Sequence, residues 1–344
     1  MSILEVFGQA RTNEMIAQPK SLAIIPHLSR AGSLGDLALF TTVAMRIKAA
    51  GIDQVSLAYC PDEQGYHAQL VPLLKSSRID FCPLPQGIFE ENFSEQRKIS
   101  SLFSTYKSLF IQNPDRIAIM GASQARFIPK SPWRSRLDYF PRDIFYGDEH
   151  IVTAYSKQLI QAYHVKKPLG DQVPVFTIPQ NDKKQVMDWV QKEMIDLGKP
   201  YVVINPNTSS HAKNWPMENY LSLTKKLEKQ SGFSIIVINA PDDFFVSQGD
   251  ISLQLHLFPK SPLPQTIELI QYASTYVGGD TGLTHIAAMT GTPFVALYPS
   301  VNLKVWSPLS VGQPMKIISS DQVKDISVAE VFTTTQSILD QSVT

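Results

Sequence analysis

The sequence has no excess of charge, few cysteines and no long apolar run, and each absence removes a class of protein. Basic and acidic residues balance at 31 each, so a chain-wide positive field for nucleic acid is not expected. Cys60 and Cys82 have neither CxxC nor zinc-finger spacing and are most simply free thiols of a cytoplasmic protein. No apolar stretch approaches a membrane span, and residues 1–20 lack the apolar region of a secretory signal.

Two chemical signatures are also missing. No Asp-x-Asp pair occurs in the chain, which agrees with chemistry that needs no metal. The turn Gly32-x-x-Gly35 and the turn Gly279–Gly282 both lack a full dinucleotide fingerprint, so NAD binding is weakly indicated. We therefore predict no cofactor and no metal.

The 344 residues and their hydrophobic content of 43% suffice for two domains. Strands alternate with helices in both halves, which predicts an α/β protein of two Rossmann-like, doubly wound domains with a cleft between them. A proline-punctuated connector at 166–179 places the domains at 1–172 and 173–344. The capping-box pattern of Ser327 and Glu330 begins a terminal helix at 327–340, for which packing back on the first domain is one option.

A strand, a tight turn and a helix follow one another between 274 and 290. Backbone N–H groups at a glycine turn that starts a helix suit a phosphate, and His285 lies in the first helical turn, within reach of the same anion. The alternative is an ordinary strand-helix junction with Asp280 or Thr281 as the helix cap.

A second glycine turn precedes Asp36 and an apolar helical stretch. A carboxylate at the carboxyl end of a strand, where ligands of open α/β folds bind, is a candidate general base. The alternative is an N-cap or a first-turn acid that the helix dipole favours.

The loop 205–216 is polar where a short connection would suffice. Its hydroxyls at Thr208 and Ser209 and the ammonium of Lys213 form a candidate diphosphate clamp, although Lys213 by itself is typical of a protein surface. Asp242 and Asp243 follow a strand and are candidates for binding ribose hydroxyls, or they are turn formers.

Residues 126–142 are basic and interleaved with aromatic side chains. We interpret them as a candidate surface for an anionic acceptor or for membrane headgroups. A solvated loop is the other interpretation. The candidate binding residues are Arg126, Lys130, Arg134 and Arg136.

Three motifs in this order resemble the bacterial heptosyltransferases of glycosyltransferase family nine. They are Gly-Ser-Leu-Gly-Asp36, Lys213-Asn-Trp-Pro216 and Gly-Gly-Asp280-Thr-Gly-Leu-Thr-His285. The resemblance implies the GT-B arrangement, with an acceptor-binding N-terminal domain and a nucleotide-sugar-binding C-terminal domain. It further implies transfer of heptose from ADP-heptose to the lipopolysaccharide inner core, with inversion at the anomeric carbon.

Position by position, the resemblance makes Asp36 the base and Lys213 the partner of the donor phosphates. It places the diphosphate among Thr208, Ser209, Asp280, Thr281, Gly282 and His285. Asn207, Asn214 and Pro299-Ser300 depart from residues common in the family. The expected partners are a nucleotide-sugar and an anionic glycolipid or glycan, not nucleic acid. The expected location is the cytoplasm, with peripheral contact on the inner membrane left open.

Two other functions fit the same fold. A nucleotide-sugar epimerase or hydrolase would turn over the donor without an acceptor. A non-catalytic sugar-nucleotide-binding protein would bind the donor without turnover.

Overall fold

The computed structural model describes residues 18–26, 33–59, 65–83, 114–120, 137–140, 149–168, 170–208, 210, 213–231, 233–239, 255–301 and 303–342. Strands and helices alternate through this part of the chain. Those of the first half are β1 Ser21–Ile25, α1 Leu34–Ala49, β2 Gln54–Tyr59, α2 Tyr66–Leu73, β3 Asp80–Pro83, β4 Arg116–Met120, β5 Leu137–Phe140 and α3 Ile151–Ala162.

The second half repeats the alternation. Its elements are α4 Gln180–Lys192, β6 Tyr201–Asn205, α5 Met217–Ser231, β7 Ser234–Val237, β8 Leu255–Leu257, α6 Leu263–Gln271, β9 Thr275–Gly279, α7 Gly282–Met289, β10 Phe294–Pro299, α8 Leu303–Trp306, β11 Met315–Ser320 and α9 Val328–Ser342. Between α3 and α4, residues 163–168 and 170–179 include no helix or strand. The domain boundary at 172 stays a prediction.

Both sheets are parallel and follow the doubly wound order. The first runs β3-β2-β1-β4-β5 and the second β11-β10-β9-β6-β7-β8. In each sheet the chain reverses direction across the sheet between two central neighbours, β1 and β4 in the first and β6 and β9 in the second. The predicted α/β, doubly wound fold is confirmed. Ligands of such sheets bind beyond the carboxyl ends of the strands at these switch points.

Helix α7 shows how the halves join. Residues 283–289 are all buried, because α7 packs on β9 and β10 of its own sheet and on α1 of the first half. A helix that is apolar all round needs such cover. Helices α2 and α6 form a second contact across the halves, and one apolar cluster accordingly contains residues of both.

The start of α6 is capped from the other half. Pro262 precedes the helix and offers no side-chain cap, so Gln69 on α2 takes that part, and its Oε1 accepts the Leu263 N–H at 2.7 Å. Donors at helix starts need such partners.

The final helix covers the second sheet. Its contacts are with α5 and with strands of the second sheet, where Val331, Ile338 and Leu339 join a second apolar cluster. The option of packing back on the first domain stays a prediction. Its capping box is present, with the Glu330 N–H donating to Ser327 Oγ at 3.2 Å.

Candidate functional site

The two glycine-rich helix starts meet at the switch points of the two sheets. A Cβ on Gly35 would stand 2.8 Å from Cδ2 of His285, and a Cβ on Gly282 would stand 2.9 Å from the Gly35 nitrogen. Real Cβ atoms do not approach so closely, so only glycine lets the first turns of α1 and α7 touch. The sequence predicted a cleft here. At this point the two helix starts are in contact.

Asp36 lies in the first turn of α1, one residue after this contact. The cap of the helix is Ser33, whose Oγ accepts the Asp36 N–H at 3.0 Å. Asp36 is therefore a first-turn acid and not the N-cap. Its partly exposed position next to the joined helix starts is compatible with a base, and that assignment stays a proposal.

The cap of α7 is Thr281, as one of the two sequence interpretations predicted. Its Oγ1 accepts the Thr284 N–H at 3.4 Å. A hydroxyl cap satisfies one donor of the first turn and leaves the other N–H groups of the turn for a ligand or water. Capping and anion binding are thus compatible at this turn.

Lys213 and Asp280 form an ion pair at the same edge, with Nζ 2.5 Å from Oδ2. They meet because β6 and β9 are neighbours in register, with Asn205 opposite Gly278. The Lys213 side chain is 37% exposed and that of Asp280 is 17% exposed. The carboxylate offsets the ammonium, whose remaining N–H donors can still reach a ligand.

His285 is almost fully buried at the contact between the halves, with 5% of its surface exposed. Burial lowers the pKa of His285 to about 4; Asp280 opposes this shift, whereas His150 and Lys213 add to it. The imidazole is therefore neutral at pH 7, and its Nδ1 has no hydrogen-bond partner among the described residues. A neutral imidazole can donate one hydrogen bond to a phosphate oxygen but adds no net charge.

A buried polar network lies under the glycine turn, and the sequence analysis missed it. The Asn205 Nδ2 group donates to the Tyr276 hydroxyl at 3.2 Å and lies 3.4 Å from Thr281 Oγ1. The Thr284 hydroxyl donates to the Gly279 carbonyl at 2.6 Å. The one available signal was an asparagine ending an otherwise apolar buried strand. The network ties β6, β9 and α7 together beneath the turn.

The loop after β6 is held from two sides. Thr208 packs so closely on the turn that a Cβ on Gly279 would stand 2.7 Å from its methyl group. On the other side, Trp215 is buried and its Nε1–H donates to the Ile326 carbonyl at 2.8 Å. Lys213 thus lies between two anchored positions.

The remaining predicted binding residues lie outside the described part of the chain. These are Ser209, Asp242, Asp243, Arg126, Lys130, Arg134 and Arg136. A cavity of about 830 Å³ lies at the opposite edge of the first sheet, where Ser21, Gln54 and Asp80 begin or border the strands. No residue of the predicted site lines it. None of the described helices combines the length and apolar character that a bilayer crossing requires.

Fold and site together define a two-sheet α/β protein whose switch points, with their glycine-rich helix starts, face each other. The sequence profile of glycosyltransferase family 9 (heptosyltransferase) matches residues 119–331, which is more than half of the chain. The chain belongs to this family and is a glycosyltransferase.

Individual relatives agree with this membership. Lipooligosaccharide heptosyltransferase 2 of Haemophilus influenzae is 25% identical over 256 residues, covering 66% of this chain and 70% of that protein. Lipopolysaccharide heptosyltransferase 2 of Escherichia coli K12 is 24% identical over 305 residues, covering 79% and 80%.

Solved structures share the fold. A family 9 glycosyltransferase from Veillonella parvula has a TM-score of 0.73 at 14% identity, covering 95% of this chain and all of that one. Escherichia coli ADP-heptose lipopolysaccharide heptosyltransferase II has a TM-score of 0.68 at 16% identity, covering 94% and 100%. The predicted GT-B arrangement is confirmed.

Proposed function

We propose that this glycosyltransferase moves heptose from an ADP-heptose donor to the lipopolysaccharide inner core or a related glycan, with inversion at the anomeric carbon and without a metal. The observation that carries the proposal is the junction itself. Asp36 on one half lies next to the His285 contact, and Lys213 and the start of α7 lie on the other half at the same edge.

The proposed reaction needs one base and one anion site. An acceptor hydroxyl oxygen forms a bond to the anomeric carbon from the face opposite the leaving group. The bond from that carbon to the diphosphate oxygen breaks, and the Asp36 carboxylate takes the hydroxyl proton. The electron pair leaves with the nucleoside diphosphate. Such a base contributes typically about 10²–10⁴-fold.

The leaving diphosphate is stabilised by one cationic side chain and by neutral hydrogen-bond donors. Lys213 supplies one ammonium, which Asp280 partly offsets. The first turn of α7 supplies backbone N–H groups, and a neutral His285 can donate one hydrogen bond. Thr208 and Gly282 shape the loop and the turn around this position. Asp280 keeps Lys213 in place until a phosphate competes for it.

The sugar and acceptor are inferred from relatives. The matched Haemophilus influenzae and Escherichia coli proteins are heptosyltransferases of lipooligosaccharide and lipopolysaccharide. An Escherichia coli heptosyltransferase with this fold was solved with ADP-2-deoxy-2-fluoro heptose, at 16% identity and a TM-score of 0.61. We place the enzyme in the cytoplasm, where the basic segment at 126–142 would meet an anionic acceptor at the inner membrane. Asp242 or Asp243 would bind the donor ribose.

Turnover of candidate donors tests this function. The purified protein is incubated with ADP-heptose, other ADP-sugars and UDP-sugars, with and without a heptose-deficient lipopolysaccharide core. We expect nucleoside diphosphate release only with an ADP-sugar and acceptor together, and NMR of the product to show the inverted anomer. Equal release without acceptor would indicate a hydrolase, and conversion of the nucleotide-sugar to an epimer without release would indicate an epimerase. Binding with neither release nor conversion under any condition would indicate a sugar-nucleotide-binding protein.

A further inference from the structure

His150 forms a polar contact between the two halves. It stands before α3, and its Nδ1 accepts the Val152 N–H at 3.2 Å, which caps that helix. Its Nε2 lies 2.8 Å from the backbone carbonyl oxygen of Ser307. Because Nδ1 is an acceptor here, the proton is on Nε2, which donates to Ser307.

Each end of this bond belongs to a well-packed part of its half. Helix α3 packs on α1, the helix that begins at the Gly35 contact, and the Tyr155 ring lies 5.5 Å from the Phe40 ring. Ser307 closes the short helix after β10, with its N–H donating to the Leu303 carbonyl at 3.0 Å. The bond therefore joins α3, which packs on the helix that contains Asp36, to the sheet from which α7 begins.

The groups around His150 keep it neutral. Burial lowers the pKa of His150, and Arg46 on α1 lowers it further, whereas the bond to Ser307 raises it. His285 on α7 is close enough to interact electrostatically with His150. The other charged groups nearby are paired with one another: Asp280 with Lys213, and Glu149 with Lys157. Asp171 of the connector acts on Arg46. A neutral imidazole leaves Nδ1 free to accept the Val152 N–H.

We propose that His150 is a positioning residue: through its bond to the Ser307 carbonyl it holds the two halves at the spacing at which Gly35 meets His285. The bond is polar and partly exposed, so it can break and re-form as substrates enter and leave. The surrounding contact between α1 and α7 is apolar and has no such directional geometry. The consequence for turnover rests on the proposed function, whereas the consequence for domain spacing does not.

Two variants separate the cap from the cross-half bond. Asparagine is a good N-cap but is too short to reach Ser307, so His150→Asn keeps the start of α3 and loses the bond. His150→Ala loses both. Ser307→Ala keeps the backbone carbonyl and is the matched control.

Small-angle X-ray scattering of the full chain, without ligand, measures the spacing. We expect a larger radius of gyration for His150→Asn and His150→Ala than for the wild type and Ser307→Ala, with the melting temperature of His150→Asn close to that of the wild type. A hydrogen bond of ordinary strength shifts the closed-to-open ratio roughly three- to tenfold. A His150→Asn scattering curve that superimposes on the wild-type curve would overturn the proposal, including the case in which only His150→Ala opens.

Kinetics give a second readout. ADP contacts only the second half in the proposed site, so its dissociation constant should stay within about twofold in His150→Asn, while kcat falls roughly three- to tenfold. An unchanged kcat would overturn the positioning role. If the wild type shows no transferase activity, the proposed function fails, and the scattering experiment still decides the spacing.

Discussion

Gly35 lies against the ring of His285, so that a Cβ at residue 35 would come within 2.8 Å of Cδ2. One residue belongs to the first turn of α1 and the other to the first turn of α7, and these helices belong to different sheets. This contact between the two halves therefore lies beside Asp36 and the start of α7, the two predicted reactive positions.

Gly35→Ala should push the two helix starts apart. The added methyl group meets a buried ring and the backbone of Gly282, neither of which can move easily, so overpacking should destabilise the protein by about 1–3 kcal/mol. Misplacement of the reacting groups should lower kcat about 10- to 100-fold. Thermal denaturation and steady-state kinetics measure both. Gly198→Ala, at an exposed turn, is the control and should leave both near the wild type.

Asp36→Asn should abolish the base and preserve the fold. The amide keeps the shape of the side chain, and the cap from Ser33 uses the backbone N–H, so the helix start survives. We expect kcat to fall about 10²–10⁴-fold with nucleotide affinity little changed. Glu218→Gln removes the first-turn acid of α5 and should be silent. Wild-type turnover in Asp36→Asn would remove Asp36 from the mechanism.

Lys213→Ala should weaken binding of nucleoside diphosphates. Loss of a hydrogen bond to a charged group predicts about a 10- to 100-fold rise in the ADP dissociation constant by calorimetry. Lys184→Ala is a matched control, because Lys184 also pairs with an aspartate, Asp188 at 2.7 Å, but on an exposed helix surface. Equal affinities for the two variants would show that Lys213 does not touch the diphosphate.

His285 should make the protein sensitive to acid. Its pKa in the fold is about 4, below the value near 6.5 expected in an unfolded chain, so the unfolded state takes up the proton first. The contribution of neutral His285 to the free energy of unfolding is therefore complete above about pH 6.5. As pH falls toward 4, the free energy of unfolding drops by up to about 3 kcal/mol. Urea denaturation between pH 7.5 and 4.5 measures this slope. In His285→Gln, the free energy of unfolding should depend less steeply on pH, by the uptake of about one proton on unfolding. An unchanged slope would contradict the shifted pKa.

Local pattern predicted much of the fold. The regular alternation predicted the parallel sheets. The capping-box pattern predicted the cap at Ser327, and Thr281 was one of two candidate caps for α7. These features depend on neighbours along the chain, which is why a single sequence contains them. Local position left two interpretations each for Asp36 and Lys213, and the motif resemblance favoured the base and the diphosphate partner.

Contacts between distant segments could not be predicted in this way. The pair Lys213–Asp280 requires β6 and β9 to be neighbours in the sheet, and the Gly35–His285 contact requires the two halves to dock. His150 has no sequence signal at all, because its partner is a backbone carbonyl. The sequence assigned the final helix no definite surface, since a capping box predicts where a helix begins and not what it packs on.

The bond from Trp215 to the Ile326 carbonyl also sets an order of assembly during synthesis. Domains fold as units while the chain leaves the ribosome, so the first sheet can form early, with all of its strands already made. The loop that carries Lys213, by contrast, lacks its anchor at Trp215 until the segment just before α9 has emerged. A nascent chain halted short of residue 326 should therefore carry a formed first half and a loop held only where Thr208 packs on the Gly279 turn.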